Sequence, residues 1–133
     1  MKIDVDAASS APIYLQIVEA VQKLVALGSL QPGDQLPTVR QLAVDLRVNP
    51  NTVARAYLEL EHKGVIASQQ GRGTYVTVQP DTAALTRQRE EKLRAMVSNF
   101  LLEALSQGYA LADVRATIDR EAEHWQHIHN GQS

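Results

Sequence analysis

Three polar side chains in the middle of the sequence, Asn51, Thr52 and Arg55, are of the types that read nucleic acids. Amide, hydroxyl and guanidinium groups are donors and acceptors suited to base edges and phosphate oxygens. The apolar residues around them recur at helical spacing and would form a separate face: Val53, Ala56, Tyr57 and Leu60. The stretch therefore predicts a helix that holds its polar side chains away from a protein core, as a recognition helix does.

Both ends of this helix carry their own signals. Asn49 can cap the first turn, and Pro50 fits within it because the N–H that proline lacks is unpaired there in any helix. Gly64 is a natural stop because glycine tolerates the left-handed conformation beyond a helix end. We predict a helix that starts after Asn49 and stops at Gly64.

A shorter helix is predicted immediately before it. Thr38, followed three residues later by Gln41, forms a capping box. The buried face of this helix would consist of Val39, Leu42, Ala43 and Leu46. Arg47 and Val48 are left as a short turn. Two short helices joined by about three residues, with a polar second helix, are typical of a helix-turn-helix.

The chain before the capping box predicts an arm, a helix and a connector. Residues 1–9 are polar without periodicity and predict a loose arm. An apolar stripe then predicts a helix from Pro12 to Gly28: Ile13, Ile17, Val21, Leu24 and Val25. Residues 28–37 contain two prolines and two glycines, and this composition predicts a turn-rich connector.

A β-hairpin is predicted directly after the recognition helix. Val65 to Gln70 and Thr74 to Val78 are strand-like runs rich in valine and threonine. A glycine-containing turn between two such runs indicates a hairpin, and a hairpin in this place is a wing. Arg72 would lie at its tip between two glycines, which let the backbone approach another surface closely.

Pro80 and Asp81 predict a boundary between two domains, residues 1–79 and 80–133. Two amphipathic helices joined at Gly108 are expected in the second domain. Their apolar stripes are too wide for a lone hairpin to bury, so we predict a dimerisation surface: Leu93, Met96, Val97, Phe100, Leu101, Leu105, Ile118 and Trp125. The alternative is a helical pair folded back onto the core of the same chain.

The composition of the 133 residues limits the possible functions. There is no cysteine, so disulfides, thiolate zinc sites and cysteine nucleophiles are excluded. No apolar run approaches a membrane span and no secretory segment is evident, so a soluble cytoplasmic protein without membrane contact is expected. No phosphate-binding loop or nucleophile elbow is present. We predict neither an enzyme nor a cofactor.

Three histidines near the C-terminus leave one further interpretation open. His124, His127 and His129 are spaced so that two imidazoles could lie on one side of a helix. A metal-responsive site is one reading, and a solvated chain end is the other. Because no matching ligand is evident elsewhere, we predict no metal site.

Several linked segments, taken together, resemble the GntR family of bacterial transcription regulators. These segments are APIYLQIVEAV, GDQLPTVRQLAVDL, VNPNTVARAYLELEHKGVI and QGRGTYV. The short two-helix tail resembles the YtrA subfamily in particular. The resemblance implies an α+β fold in which a winged helix-turn-helix, with three helices and a β-hairpin wing, precedes a C-terminal α-hairpin.

The resemblance also implies which residues contact double-stranded DNA. The positions that match the family's DNA-contacting motifs are Arg40, Asn49, Pro50, Asn51, Thr52, Arg55, Gln70, Gly71, Arg72 and Gly73. Many relatives carry basic residues in place of Pro50 and Ala54. Base reading here is therefore expected to depend on Asn49, Asn51, Thr52 and above all Arg55, unless Arg55 is a solvated side chain paired with Glu59.

The predicted function is that of a sequence-specific regulator, a homodimeric repressor on an inverted-repeat operator. Control of a neighbouring transporter operon is implied by the subfamily resemblance alone. The net charge of −2 is unlike the basic footprint usual in DNA-binding proteins. Residues 33–78 also carry only a slightly positive balance of charged side chains. A winged-helix module that binds another protein is therefore the alternative, alongside a metal-responsive regulator. The sequence does not identify a small-molecule effector.

Overall fold

The computed structural model describes residues 1–78 and 83–131, which belong to two compact units, Met1–Val78 and Gln79–Ser133. The predicted boundary at residues 79 and 80 lies outside the described residues. The first unit contains α1 (Ile13–Ala26), α2 (Val39–Leu46), α3 (Pro50–His62), β1 (Ile66–Gln69) and β2 (Gly73–Val76). The second unit contains α4 (Ala83–Ser106) and α5 (Leu111–Gly131). The predicted fold class is confirmed.

The helix-turn-helix begins with the predicted capping box. The Thr38 hydroxyl accepts a hydrogen bond from the Gln41 N–H at 3.1 Å, and the Gln41 side chain accepts one from the Thr38 N–H at 2.9 Å. After α2, Arg47 takes a left-handed conformation with φ of 57°. This turn directs the chain into α3, so the predicted short connection between the helices is confirmed.

The core of the first unit lies among α1, α2, α3 and the hairpin. Its largest fully buried side chains are Ile17, Val18, Val21, Leu42, Val53, Leu60 and Ile66. The predicted apolar face of α3 is confirmed, since all four of its residues are buried. Aliphatic packing of this kind fixes the outward direction of the polar face of α3.

The prediction of a loose arm at residues 1–9 is wrong. Ile3 is buried and Val5 packs against the same core. The Gln16 side chain accepts a hydrogen bond from the Asp6 N–H at 2.8 Å and donates one to the Asp6 carbonyl at 2.9 Å. Two apolar residues are too few to show a period, and Gln16, the hydrogen-bond partner of Asp6, lies ten residues further on. It belongs to α1, which begins at Ile13 rather than at the predicted Pro12.

The wing is a two-stranded antiparallel hairpin in which Ile66 pairs with Val76 and Gln69 with Gly73. Both strands are shorter than predicted. The connector before α2 also binds β2, with the Leu36 N–H donating to the Thr74 carbonyl at 2.8 Å. Residues 33–36 thus add a third backbone segment beside the two strands. The sequence predicted only turns here, because pairing of so few residues leaves no periodic signal.

Tyr57 joins α3 to this connector, and its ionisation should make the stability of the first unit depend on pH. Its hydroxyl donates to the Pro37 carbonyl at 2.7 Å, and burial raises its pKa to about 12. A raised pKa in the folded state adds stability that is complete below the unfolded value of about 10 and is lost as pH rises towards 12. The free energy of unfolding should therefore fall across this interval.

Denaturant unfolding of the natural chain and of Tyr57→Phe, followed from pH 8 to 12, separates Tyr57 from the other titrating groups. Removing the hydroxyl should cost about 1–2 kcal/mol below pH 10, because the half-buried Pro37 carbonyl loses its donor. This difference should shrink as the tyrosine ionises. An equal difference at pH 9 and pH 12 would contradict the pKa effect.

The second unit is the predicted α-hairpin. Gly108, with φ of 93°, terminates the first of its helices, and the Tyr109 N–H donates to the Ala104 carbonyl at 3.3 Å. Asp113 lies in the first turn of α5 as predicted. Val114 is the one buried apolar side chain among the described residues of this unit.

Candidate nucleic-acid interface

The first turn of α3 is capped by the side chain of Asn49, the residue that precedes the helix. The Asn49 side-chain oxygen accepts a hydrogen bond from the Asn51 N–H at 2.8 Å, and Pro50 occupies the first helical position. Asn49 was predicted to serve both as a cap and as a DNA contact. Capping uses one lone pair of this oxygen and none of the amide hydrogens, so the NH2 group remains available to DNA.

The predicted recognition residues lie outside the core of the first unit. Asn51 and Arg55 are exposed, and Thr52 is half-buried. On a helix, residues 51 and 55 lie one turn apart and share a face. The structure therefore places an amide and a guanidinium side by side, opposite the buried residues of α3.

Arg55 is held by a residue that the sequence analysis did not identify. Its guanidinium carbon lies 3.8 Å from the centroid of the Tyr14 ring in α1. Within the described residues the Arg55 guanidinium lies against this ring, a contact that the alternative of an ion pair with Glu59 does not include. The available signal was a tyrosine beside the apolar stripe of α1, which reads equally well as an ordinary surface residue.

Arg40 is exposed in the first turn of α2, next to the capping box. The capping box fixes the start of this helix, so the Arg40 side chain extends from a defined backbone position. Arg40, Arg55 and Arg72 lie on three different elements of the first unit.

The wing tip is anchored by side chains that sequence reasoning also missed. Gln70, Gly71 and Arg72 are exposed in the turn. The Arg72 carbonyl accepts hydrogen bonds from the Tyr75 hydroxyl at 2.5 Å and from the Gln35 side chain at 3.4 Å. These bonds use the backbone of Arg72 and leave its guanidinium exposed.

Gly73 is required at the base of the turn for two reasons. Its φ is 95°, a conformation that side chains disfavour. A Cβ at this position would also lie 3.0 Å from the Gln35 side-chain nitrogen. The Gln35 side chain would have to shift to make room for it. Gly71 also has a positive φ, of 79°, although a Cβ there would meet no atom within 4 Å.

The predicted dimerisation residues are largely exposed in the single chain. Phe100 is 51% exposed and Val97 is 46% exposed, whereas Leu101 is half-buried. The other predicted members are also exposed: Leu93, Met96, Leu105, Ile118 and Trp125. A groove of about 790 Å³ runs between α4 and α5 and is lined by Phe100, Tyr109, Val114 and Ile118 among others.

The three histidines considered as an alternative metal site lie in α5. Within the described residues, no group of three or more His, Asp or Glu side chains is placed to hold a metal ion. Residues 124, 127 and 129 are exposed on α5.

None of the helices in the described ranges combines the length and apolar character needed to cross a membrane.

A capped helix, a short turn, a second helix with an exposed polar face and a hairpin wing define the winged helix-turn-helix class of DNA-binding proteins. The family model described as bacterial regulatory proteins, gntR family, matches residues 13–76. The chain is also 38% identical over 116 residues to the transcriptional repressor YtrA of Bacillus subtilis, which covers 87% of this chain and 88% of that protein. It belongs to the GntR family and is a DNA-binding transcriptional regulator.

Two solved structures extend the comparison. YtrA from Sulfolobus acidocaldarius, a GntR-family transcription factor, is 33% identical with a TM-score of 0.64 and covers 93% of this chain and 97% of its own. The AraR DNA-binding domain in complex with operator ORX1 is 26% identical with a TM-score of 0.52. It covers 58% of this chain and 96% of its own. The similarity to YtrA therefore includes the tail.

Proposed function

We propose that the chain is a homodimeric repressor that binds an inverted-repeat operator through α3 and the wing. The observation that carries the proposal is the polar face of α3, where Asn51 and Arg55 are exposed opposite a completely buried apolar face. The first turn of α3 is fixed by the Asn49 cap. A helix held in this way can enter a major groove with its N-terminal residues towards the base edges.

Each predicted contact has a distinct role in this proposal. Arg55 reads a guanine through two parallel hydrogen bonds, and Asn51 reads an adenine in the same manner. Arg40 and Thr52 bind phosphates and fix the register without reading sequence. For Thr52 this role replaces the base contact expected from the sequence, because its side chain is half-buried. The wing places Arg72 and Gly73 along the minor groove. Asn49 offers its amide NH2 to the DNA, and the remaining positions, Pro50, Gln70 and Gly71, shape the backbone that approaches it.

Dimerisation is proposed from the exposed apolar side chains of α4 and α5. Large apolar side chains left exposed on both helices of a single chain indicate an interaction surface. A two-fold dimer would present two recognition helices, which matches an inverted repeat. It would also double the few arginine contacts that a chain of net charge −2 can make.

Fluorescence anisotropy with the DNA immediately upstream of the chain's own gene tests the proposal. Affinity should fall steeply as salt rises, because binding releases counterions from the phosphates. A scrambled duplex of equal length is the control and should bind more weakly at every salt concentration. Absence of salt-sensitive binding to either duplex would instead favour the protein-interaction module.

The division of roles between Arg55 and Arg40 gives a second prediction. Arg55→Ala should lose about 1–3 kcal/mol of discrimination at one base position, as expected for a lost bidentate contact. Arg55→Lys keeps the charge but not the fork and should lose preference at the same position. Arg40→Ala should weaken all sequences about equally. Measured affinities for a library of single-base operator variants check this, and identical profiles for the alanine variants would refute the division.

We also propose that the operator controls a neighbouring transporter operon, a proposal supported by the resemblance to the YtrA subfamily. Deleting the gene should raise the transcript of that operon if the chain acts as a repressor. A fall in the transcript would identify an activator.

A further inference from the structure

The contact between Tyr14 and Arg55 links the first helix to the recognition helix. The guanidinium carbon lies over the Tyr14 ring at 3.8 Å from its centroid. An edge-on approach would be stopped by the ring hydrogens at a larger distance, so the cation lies against the ring face. This is the arrangement in which a cation is attracted by the negative face of an aromatic ring.

The stack restrains Arg55 without using its hydrogen-bond donors. Guanidinium N–H groups lie in the plane of the group, so stacking on one face leaves them free to bind a base or phosphate. Arg55 itself is exposed. A stacked arginine has therefore given up much of its rotational freedom before any DNA arrives, and less entropy is lost on binding.

The ring is mounted on a rigid part of the fold. Tyr14 is half-buried and packs against the core of the first unit. The next turn of α1 carries Ile17, which is fully buried, and α1 packs against α3. A side chain that must be positioned accurately is best supported by a neighbour whose own position is fixed by packing.

We propose that Tyr14 is a positioning residue of the DNA interface, and that its ring holds the Arg55 guanidinium in the orientation used to read a base. This inference rests on the proposed function, in which Arg55 is the reader. It adds a residue of α1 to a specificity determinant otherwise assigned to α3 and the wing. The ring is the required feature, and the hydroxyl is not.

Four variants test the inference: Tyr14→Phe, Tyr14→Leu, Arg55→Ala and the double variant Tyr14→Leu/Arg55→Ala. Affinities are measured by anisotropy on the upstream duplex and on its single-base variants. Tyr14→Phe should bind like the natural chain because phenylalanine keeps the ring. Tyr14→Leu should bind about fivefold more weakly, as expected for a lost cation–π contact. In the Arg55→Ala background the leucine change should add nothing.

The base preference separates positioning from a general structural effect. Tyr14→Leu should relax preference at the same base position as Arg55→Ala, whereas a merely destabilised fold would weaken all duplexes alike. Thermal unfolding of each variant confirms that binding is measured on folded protein.

Four outcomes would overturn the inference while leaving DNA binding intact. Tyr14→Phe could lose as much affinity as Tyr14→Leu, the leucine and alanine effects could add independently, or Arg55→Ala could change no base preference. Tighter binding by Tyr14→Leu would show that Arg55 must leave the ring to reach DNA. If the natural chain binds no DNA, the proposed function itself fails.

Discussion

A chain carrying Val97→Glu and Phe100→Glu is expected to be monomeric and to bind operator DNA about a hundredfold more weakly than the natural chain. Both side chains are about half exposed on α4, on the face proposed to meet a second copy. Burying two carboxylates without partners at such an interface has a desolvation free energy larger than the favourable free energy of the apolar contact. Losing the link between two recognition helices removes the gain of binding both half-sites together.

Sedimentation equilibrium measures the association, and anisotropy measures the DNA affinity. Ala95→Glu with Asn99→Glu is the matched control, because it adds the same charge on the opposite side of α4. The control should remain dimeric and bind normally. A Val97→Glu/Phe100→Glu chain that stays dimeric would place the interface elsewhere, and a monomer with unchanged affinity would refute the need for a dimer.

Leu60→Ala should cost the first unit about 2–5 kcal/mol of stability, as expected for truncating a fully buried leucine. Leu60 is 0% exposed and sits on the core face of α3. Removing its side chain leaves a cavity directly beneath the recognition helix. Because small domains have little stability in reserve, DNA binding should fall together with the folded fraction.

Denaturant unfolding followed by circular dichroism measures the loss. Leu58→Ala is the matched control, since Leu58 lies in the same helix but is 60% exposed. Its effect should stay within about 0.5 kcal/mol. Equal losses for the two variants would contradict the assignment of the buried face of α3.

The features that were predictable from the sequence depend on residues near one another in the chain. The capping box of Thr38 and Gln41 and the cap at Asn49 each involve residues no more than one turn apart. The buried face of α3 follows from helical spacing. Such signals are local, so they survive without knowledge of the tertiary structure.

The features that were missed depend on partners that are distant in the sequence. Ile3 is buried because it packs against core residues that come from α1 and from later elements of the chain. Residues 33–36 pair with β2, and Tyr14 stacks on Arg55, across stretches that no periodicity connects. The role of Asn49 was only partly predicted, because a side chain that caps a helix and one that contacts DNA have the same sequence signature.

The pairing of residues 33–36 with β2 constrains how the length of the chain can change. Written as sequence, this segment resembles a surface loop, where insertions are usually tolerated. In the fold, one extra residue here would shift the register against β2 and turn Gln35 away from the Arg72 carbonyl. The spacing between the pairing segment and the capping box at Thr38 is therefore part of the wing's architecture.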